Sequence, residues 1–325
     1  MRTDKLCQWM LLLSVIAFCP ISASAQLSNP NERFGLTATV DGVTNTNYRW
    51  QNADGDRIAN GKMSNGMHAR IFYNVKLVST KAFSLSVAPF YTYSTTDFKT
   101  KWEEGAPATQ TGWDTGRQSF TLPSEHHNYG GSVTAAMNMM VGSKALTISA
   151  TGTANMSQYG YEHTMVTLSA MLHMIRTKET YLGLGAIYLI GSNVGWPLYP
   201  FITYRQQYND KWSLSMMGAN NYLNYQATKK VKYSVGMELD TEKYYFRPGV
   251  EGLPKKSVFS LISERFGAFT DIQLAQRLTM NIGAGASVPL YGRVRESGHR
   301  HAYMHLHDRT KPFVQLKMKY SIMKK

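Results

Sequence analysis

Only two cysteines occur in the 325 residues, Cys7 and Cys19, and both precede residue 26. With that segment removed, the chain has no thiol nucleophile, no disulfide staple and no cysteine-based metal site. Charge is sparse as well, at 17 % of residues, where soluble domains carry about a quarter. After residue 25 no stretch holds the roughly 18 uninterrupted apolar residues of a membrane-spanning helix. This excludes helical spans and nothing more, because barrel strands are polar at alternate positions and averaged hydropathy does not register them.

What is present begins with an export signal. Arg2 and Lys5 form a positive start, Trp9 to Phe18 a short apolar run, and Ala23-Ser24-Ala25 a small-x-small cleavage pattern. The expected division is a signal peptide over 1–25, a short N-terminal extension over 26–33 and one β domain over 34–325. A lipoprotein start at Cys19 is disfavoured by Phe18, which stands where a lipobox wants a small residue. The extension is too short to form a plug, which argues against a TonB-dependent transporter. The charge balance is basic, 35 Lys+Arg against 21 Asp+Glu for a net +14, but the cations are scattered. Nothing tracks a phosphate backbone, so nucleic acid is not an expected partner. Anionic lipopolysaccharide, an anionic solute or simple solvation of loops accounts for the excess.

Period two dominates the rest. In an extended strand alternate side chains face opposite sides. Val314, Leu316, Met318, Tyr320 and Ile322 alternate with Gln315, Lys317, Lys319 and Ser321. Met67, Ala69, Ile71, Tyr73, Val75 and Leu77 alternate with His68, Arg70, Phe72, Asn74 and Lys76, and the segments at 146–156, 231–239 and 278–288 repeat the pattern. Such runs of about 9–12 residues suit tilted bilayer-crossing strands, whereas strands of soluble proteins average nearer 5–6.

Tight turns at 79–81, 142–144, 177–179, 209–210 and 276–277 alternate with longer polar links at 42–66, 100–125, 247–256 and 290–311. This is the asymmetry of outer-membrane barrels, with short periplasmic turns and long outer loops. The expected fold is all-β, a single antiparallel transmembrane barrel. It has about 14 strands if 211–217 and 222–228 are separate, and 12 if they form a turn region. Alternation slips near Glu264 to Phe266, which suggests a β-bulge. Aromatics near the strand ends, among them Tyr91, Tyr93, Trp113, Trp196, Tyr199, Tyr204, Tyr208, Trp212, Tyr244, Tyr245 and Tyr291, suit interfacial girdles.

Signal, alternation and loop asymmetry together resemble Gram-negative outer-membrane β-barrels over nearly the whole mature chain. Leu198-Tyr-Pro-Phe201 through Trp212 to Asn221-Tyr-Leu-Asn-Tyr225, Val231-Lys-Tyr-Ser-Val-Gly236, and Ser263-Glu-Arg-Phe-Gly267 into Gly283-Ala-Gly285 resemble an uncharacterised barrel family, a domain of unknown function. The resemblance implies a barrel and no assigned activity. It also implies insertion by the barrel-assembly machinery, whose usual terminal aromatic signal here falls to Tyr320, with five residues after it.

No motif fixes a chemistry, and no catalytic residue, cofactor or metal is expected. His299, His301, His305, His307 and Asp308 have the donors of a zinc or copper site, but on a loop with nothing to orient the rings. His126-His127 beside Glu125 is weaker. Asp54-Gly55-Asp56 lacks the later ligands of a calcium loop and reads as a turn. Gly183-x-Gly185 and Gly283-x-Gly285 have no following helix, so they give space or curvature rather than a phosphate loop. A lipid hydrolase would need Ser, His and an orienting group on one face; His68 and His173 face the expected lumen, yet no spacing singles out a set. Asp97, Asp114 and His126 could serve a rim protease but lie on or beside a long loop.

The inward register makes Arg70, Lys76, Arg205, Lys232, Lys317 and Lys319, with Glu238, the candidate lumen-lining residues. The leading expectation is an outer-membrane pore favouring small anions, since basic rings concentrate counter-ions. Asp41, Glu238 and Asp271 are the acidic opponents that could instead pair with the cations and close the lumen. The alternatives are a closed structural or adhesive barrel and, behind both, an outer-membrane enzyme. Expected partners are membrane lipid, lipopolysaccharide and a small solute.

Overall fold

The computed structural model describes residues 32–43, 46–51, 57–102, 124–191, 197–218, 220–247, 255–299, 302–307 and 309–323. The signal peptide, Asp54-Gly55-Asp56, Trp113, Asp114, Trp196, His301 and Asp308 lie outside them.

Sixteen strand segments follow one another: β1 (Glu32–Val43), β2 (Thr46–Gln51), β3 (Arg57–Ser79), β4 (Phe83–Trp102), β5 (Glu125–Val141), β6 (Lys144–Ser157), β7 (Gly160–Arg176), β8 (Thr180–Ile190), β9 (Leu198–Gln207), β10 (Trp212–Met217), β11 (Asn220–Gln226), β12 (Val231–Phe246), β13 (Ser257–Ala275), β14 (Leu278–Glu296), β15 (Ala302–His307) and β16 (Lys311–Met323). They make fourteen staves rather than sixteen. β1 and β2 meet β3 in one continuous register, Val43 opposite Gly66 and Thr46 opposite Met63. β15 and β16 likewise meet β14, Leu306 opposite Gly292 and Lys311 opposite Ser287. Each pair is one interrupted strand. The sheet closes where β1 meets β16 and β2 meets β15, and every pairing is antiparallel. The expected count of fourteen holds, and β10 and β11 are the two separate short strands on which it depended.

Alternation explains why these segments settle as a membrane barrel. One parity exposes Val40, Met67, Ile71, Val133, Met137, Leu168, Ile202, Val235 and Leu316. The opposite parity buries Thr39, Asp41, Thr151, Ser149, Ser169, Ser234 and Gln315. An apolar belt outside and a hydrogen-bonded polar interior is the arrangement that hydrocarbon demands, and a closed sheet leaves no edge in it.

Four expectations need correction. The links at 42–66 and 290–311 are mostly strand, because β2, β3, β14 and β15 run on beyond the alternating segments. At the same end two connections are tight, Ser157 to Gly160 and Met217 to Asn220. The loop asymmetry is thus partly an asymmetry of strand length: β3 has 23 residues, on the order of 75 Å of chain at about 3.3 Å per residue, against a hydrocarbon core of about 30 Å. The slip near Glu264 is not a bulge in β13, which keeps one register along β12 from Ile272 to Ser257. The extra residue is Leu290 on β14, between Pro289 and Tyr291. Finally, Tyr199, Tyr244 and Tyr245 are buried and Tyr291 is half-buried rather than girdling a membrane; Tyr91, Tyr208 and Trp212 remain exposed.

The slip and the buried tyrosines have one cause. β11 pairs with β12 only as far as Met237, opposite Asn221. Beyond that level β12 has no paired neighbour on that side among the described residues, and the outer parts of β12, β13 and β14 turn into the barrel. Gly236, Gly267 and Gly285 stand opposite one another across these three strands at the same level. A Cβ at Gly236 would meet the Asn221 carbonyl oxygen, one at Gly267 the Ala284 carbonyl and one at Gly285 the Phe266 carbonyl. Only glycine permits so close an approach, and a row of three makes a crease. Above it, residues of β13 from Ser257 to Arg265 are buried on both faces. A strand sandwiched in this way loses alternation, as Val258-Phe259-Ser260-Leu261-Ile262 does. The outer half of the barrel is therefore a scroll: the sheet runs round from β9 to β3, on through β2, β15, β14 and β13, and ends with the edge of β12 inside.

Candidate functional site in the barrel interior

The seven residues singled out by register lie on the interior parity. Arg70 stands opposite Thr39, Lys76 opposite Ser86, Arg205 opposite Ser215, Lys232 opposite Asp271, Glu238 opposite Arg265, and Lys317 and Lys319 opposite Thr39 and Thr37. The structure does not bring them into one ring. Lys232, Glu238, Lys317 and Lys319 line a cavity of about 600 Å³ at the tight-turn end, together with Asn281 and Asp271. Arg70 lies deeper, and Arg205 lines the interior beside β10.

The acidic opponents are paired. Lys232 Nζ lies 2.7 Å from Asp271 Oδ2, and Lys317 Nζ 3.8 Å from Glu238 Oε2. Glu238 also accepts from the Tyr222 hydroxyl at 2.9 Å. Just above the glycine crease, two arginines and two aspartates form a closed lattice. Arg70 Nη1 lies 2.7 Å from Asp240 Oδ1 and 3.6 Å from Asp41 Oδ2, while Arg265 Nη2 lies 2.9 Å from Asp41 Oδ1 and 2.7 Å from Asp240 Oδ2. Arg265 is also 5.2 Å over the Phe313 ring. The lattice joins β1 and β3 of the wall to β12 and β13 of the scroll. Alternating signs cancel its field, so no ring of uncompensated cations is left there to select anions.

One face of the scrolled sheet packs on β3, β4 and β5. His68 shares a hydrogen bond with Ser94 at 3.1 Å and lies 3.3 Å from Glu242. The His126 ring meets Tyr244 edge-on at 4.7 Å, Tyr244 stacks on Phe259 at 5.7 Å, and Asn128 donates to the Lys243 carbonyl at 2.6 Å. Ser94, His68 and Glu242 stand in the order of an acyl-transfer triad. Their exposures of 3, 1 and 7 % leave the hydroxyl without access to an ester while the sheet is folded in. His173, the other lumenal histidine, bonds to Thr147 and Tyr181, each at 2.8 Å, as part of a polar network.

The other face carries the parity that is exposed to lipid below the crease. Above it, this parity packs on β7, β8 and β9. Ile262 joins Ile187, Leu189 and Tyr199 in an apolar cluster flanked by Phe201, Leu239, Leu290 and Tyr291. Farther out, the His163 ring lies 6.0 Å from Tyr245, His163 and Ser297 share a hydrogen bond at 3.2 Å, and Arg247 lies 2.8 Å from Glu162. This seam reaches the place where β10 and β11 end short, so it borders a level at which β9 and β12 have no paired strand between them among the described residues. Of the histidine group near the C-terminus, His299 lies beside Glu296 at 3.8 Å and His305 sits on β15; among the described residues no cluster could hold a metal ion.

Fold and interior together define a closed, fourteen-stave transmembrane β-barrel with an occluded outer half. No protein-family model matches the chain, and no curated protein matches it by sequence, so the resemblance to an uncharacterised barrel family rests on its motifs alone. Among solved structures, an outer-membrane channel of Pseudomonas putida F1 shares 11 % identity over 90 % of this chain and 96 % of that one, with a TM-score of 0.42. The translocator domain of the autotransporter NalP from Neisseria meningitidis shares 12 % over 93 % and 92 %, with a TM-score of 0.35. A FadL homologue of Pseudomonas aeruginosa shares 9 % over 94 % and 95 %, with a TM-score of 0.36. All are barrels, and at these scores they establish neither a family nor a function for this chain.

Proposed function

We propose that this is an outer-membrane channel whose passage is shut in its outer half by its own folded-in wall, and that apolar solutes rather than small anions are its cargo. The observation that carries the reading is the apolar seam between the scrolled sheet and β8–β9, bordering the unpaired level of the wall above the β10–β11 hairpin. A solute leaving by that route would meet hydrocarbon, which suits an apolar molecule and penalises an ion. The anion-selective lumen has less support, since Arg70, Lys232 and Lys317 each face a carboxylate. Short turns, the start of β1 and the end of β16 share one rim, the periplasmic one in barrels of this kind. Lipid, lipopolysaccharide and the assembly machinery are the partners this reading requires, and it assigns no catalysis. The test pairs two measurements. In planar bilayers the protein is expected to show little steady ion current, and cells carrying it should take up a labelled alkylbenzene faster than cells without it. Persistent anion-selective current with unchanged hydrocarbon uptake would reverse the proposal. Neither current nor uptake would favour a closed structural barrel, which the Arg–Asp lattice would stabilise.

A further inference from the structure

The outer end of the seam holds an arginine without a hydrogen-bond partner among the described residues. Arg295 is 1 % exposed, and none of its three guanidinium nitrogens finds a hydrogen-bond acceptor among the described residues. Arg293 and Tyr291 precede it at two-residue intervals on β14, so all three share the face turned to β7–β9, and Tyr199 of β9 lies within electrostatic reach. Arg293 lies 4.7 Å over the Tyr291 ring and has a buried Nε with no acceptor. Two hydroxyls of the same face, Tyr245 and Ser260, are also buried without hydrogen-bond partners among the described residues; Tyr245 is on the row of Val258 and Arg295, and Ser260 on the row of Arg293. The nearby carboxylate Glu162 is engaged by Arg247 and Ser157 through Oε1, while its buried Oε2 finds no donor among the described residues.

Burying a guanidinium with no acceptor is among the most costly arrangements a fold can hold, and a like charge beside it raises the cost. A planar fork of donors is also the geometry that takes a carboxylate through two parallel bonds. Directly inward from these donors the seam turns apolar, with Ile262, Ile187 and Leu189. Cationic donors at one end and hydrocarbon along the rest describe the complement of an amphiphile. Resting on the reading of the seam as the path of an apolar solute, we propose that the seam binds a carboxylate amphiphile, its head on Arg295 and Arg293 and its chain along the apolar cluster.

The test uses the full mature barrel in lipid nanodiscs, with carboxyl-labelled dodecanoate followed by carbon NMR and with dodecanol as the uncharged control. Dodecanoate should bind more tightly than dodecanol, and its bound carboxyl should titrate at lower pH than the free acid. Arg295→Gln should weaken dodecanoate by about tenfold or more, the loss expected when a charge-assisted hydrogen bond is removed, and leave dodecanol within about twofold. Should Arg295→Gln fail to assemble, Arg293→Gln combined with Tyr245→Phe carries the same comparison. Equal loss of both ligands, or no preference for dodecanoate in the parent protein, would overturn the assignment while leaving the apolar-cargo reading intact. Binding of neither would overturn that reading as well. Displacement of dodecanoate by an equal amount of dodecyl phosphate would reassign the site to a lipid phosphate and reject the carboxylate.

Discussion

Side-chain parity is the property on which every assignment rests, and adjacent residues of β16 test it most sharply. Leu316 is 43 % exposed on the outer face, whereas Lys317 points inward toward Glu238. Arginine near the middle of a lipid-facing strand costs about 2–4 kcal/mol. The Lys317–Glu238 contact is partly solvated, so losing it should cost under about 1 kcal/mol. Leu316→Arg is therefore expected to cut folding yield into lipid vesicles far more than Lys317→Leu; equal tolerance would mean the register is slipped by one residue. Parity was legible in the sequence wherever one face met lipid and the other met water. It was not legible for Arg265 and Asp240, because the carboxylate that neutralises an arginine can lie on a strand distant in sequence: Asp41 is 224 residues from Arg265. Asp240 and Glu242 continue the inward parity of Lys232, and only their partners on β3 and β13 give them a role.

The unit that decides the interior is the scrolled sheet of β12, β13 and β14, and its hinge is the row Gly236, Gly267 and Gly285. The glycines at 283 and 285 suggested curvature from sequence, but not which way the sheet bends. The run Val258-Phe259-Ser260-Leu261-Ile262 carried the stronger signal, since a short run without alternation reads as a strand covered on both sides. Valine at 285 would drive its Cβ into the backbone of Phe266 and Gly267. Gly285→Val is expected to leave the lower pairing intact, so that the barrel still shows heat-modifiable migration in gels, while the crease opens and steady ion conductance appears. Unchanged silence in bilayers from a properly assembled variant would show that the glycine row does not hold the scroll.

For the molecule as a whole, the question is whether the outer half stays folded in. The mature chain expected from the signal has no cysteine of its own, so a single introduced pair reports cleanly. His163 of β7 and Ser297 beyond β14 meet at 3.2 Å across the interior. Cysteines at both positions should form a disulfide in the oxidising periplasm, seen as a mobility shift on non-reducing gels that reductant reverses. No crosslink in the outer-membrane fraction would mean that the scroll is not the resting state. If the sheet moves to pass a solute, the crosslinked form should lose uptake of the labelled alkylbenzene, and reduction should restore it.

The sequence by itself determined the class of fold, narrowed the staves to fourteen or twelve, and set the inward or outward direction of most strand residues. Those follow from local periodicity and from the length of chain needed to cross hydrocarbon, and neither depends on what a strand meets elsewhere. Tertiary structure alone decided that Arg70, Lys232 and Lys317 each face a carboxylate. The short β10 and β11 leave the outer edge of β12 unpaired among the described residues, the glycine row lets the sheet turn in, and the turn brings Asp240 and Glu242 to Arg70 and His68. With the extra residue Leu290, it also places Arg295 on the sheet face that meets lipid below the crease and is buried against β9 above it. Alternation fixes a side chain's face relative to its own strand; where that face lies in the molecule depends on the path of the whole sheet.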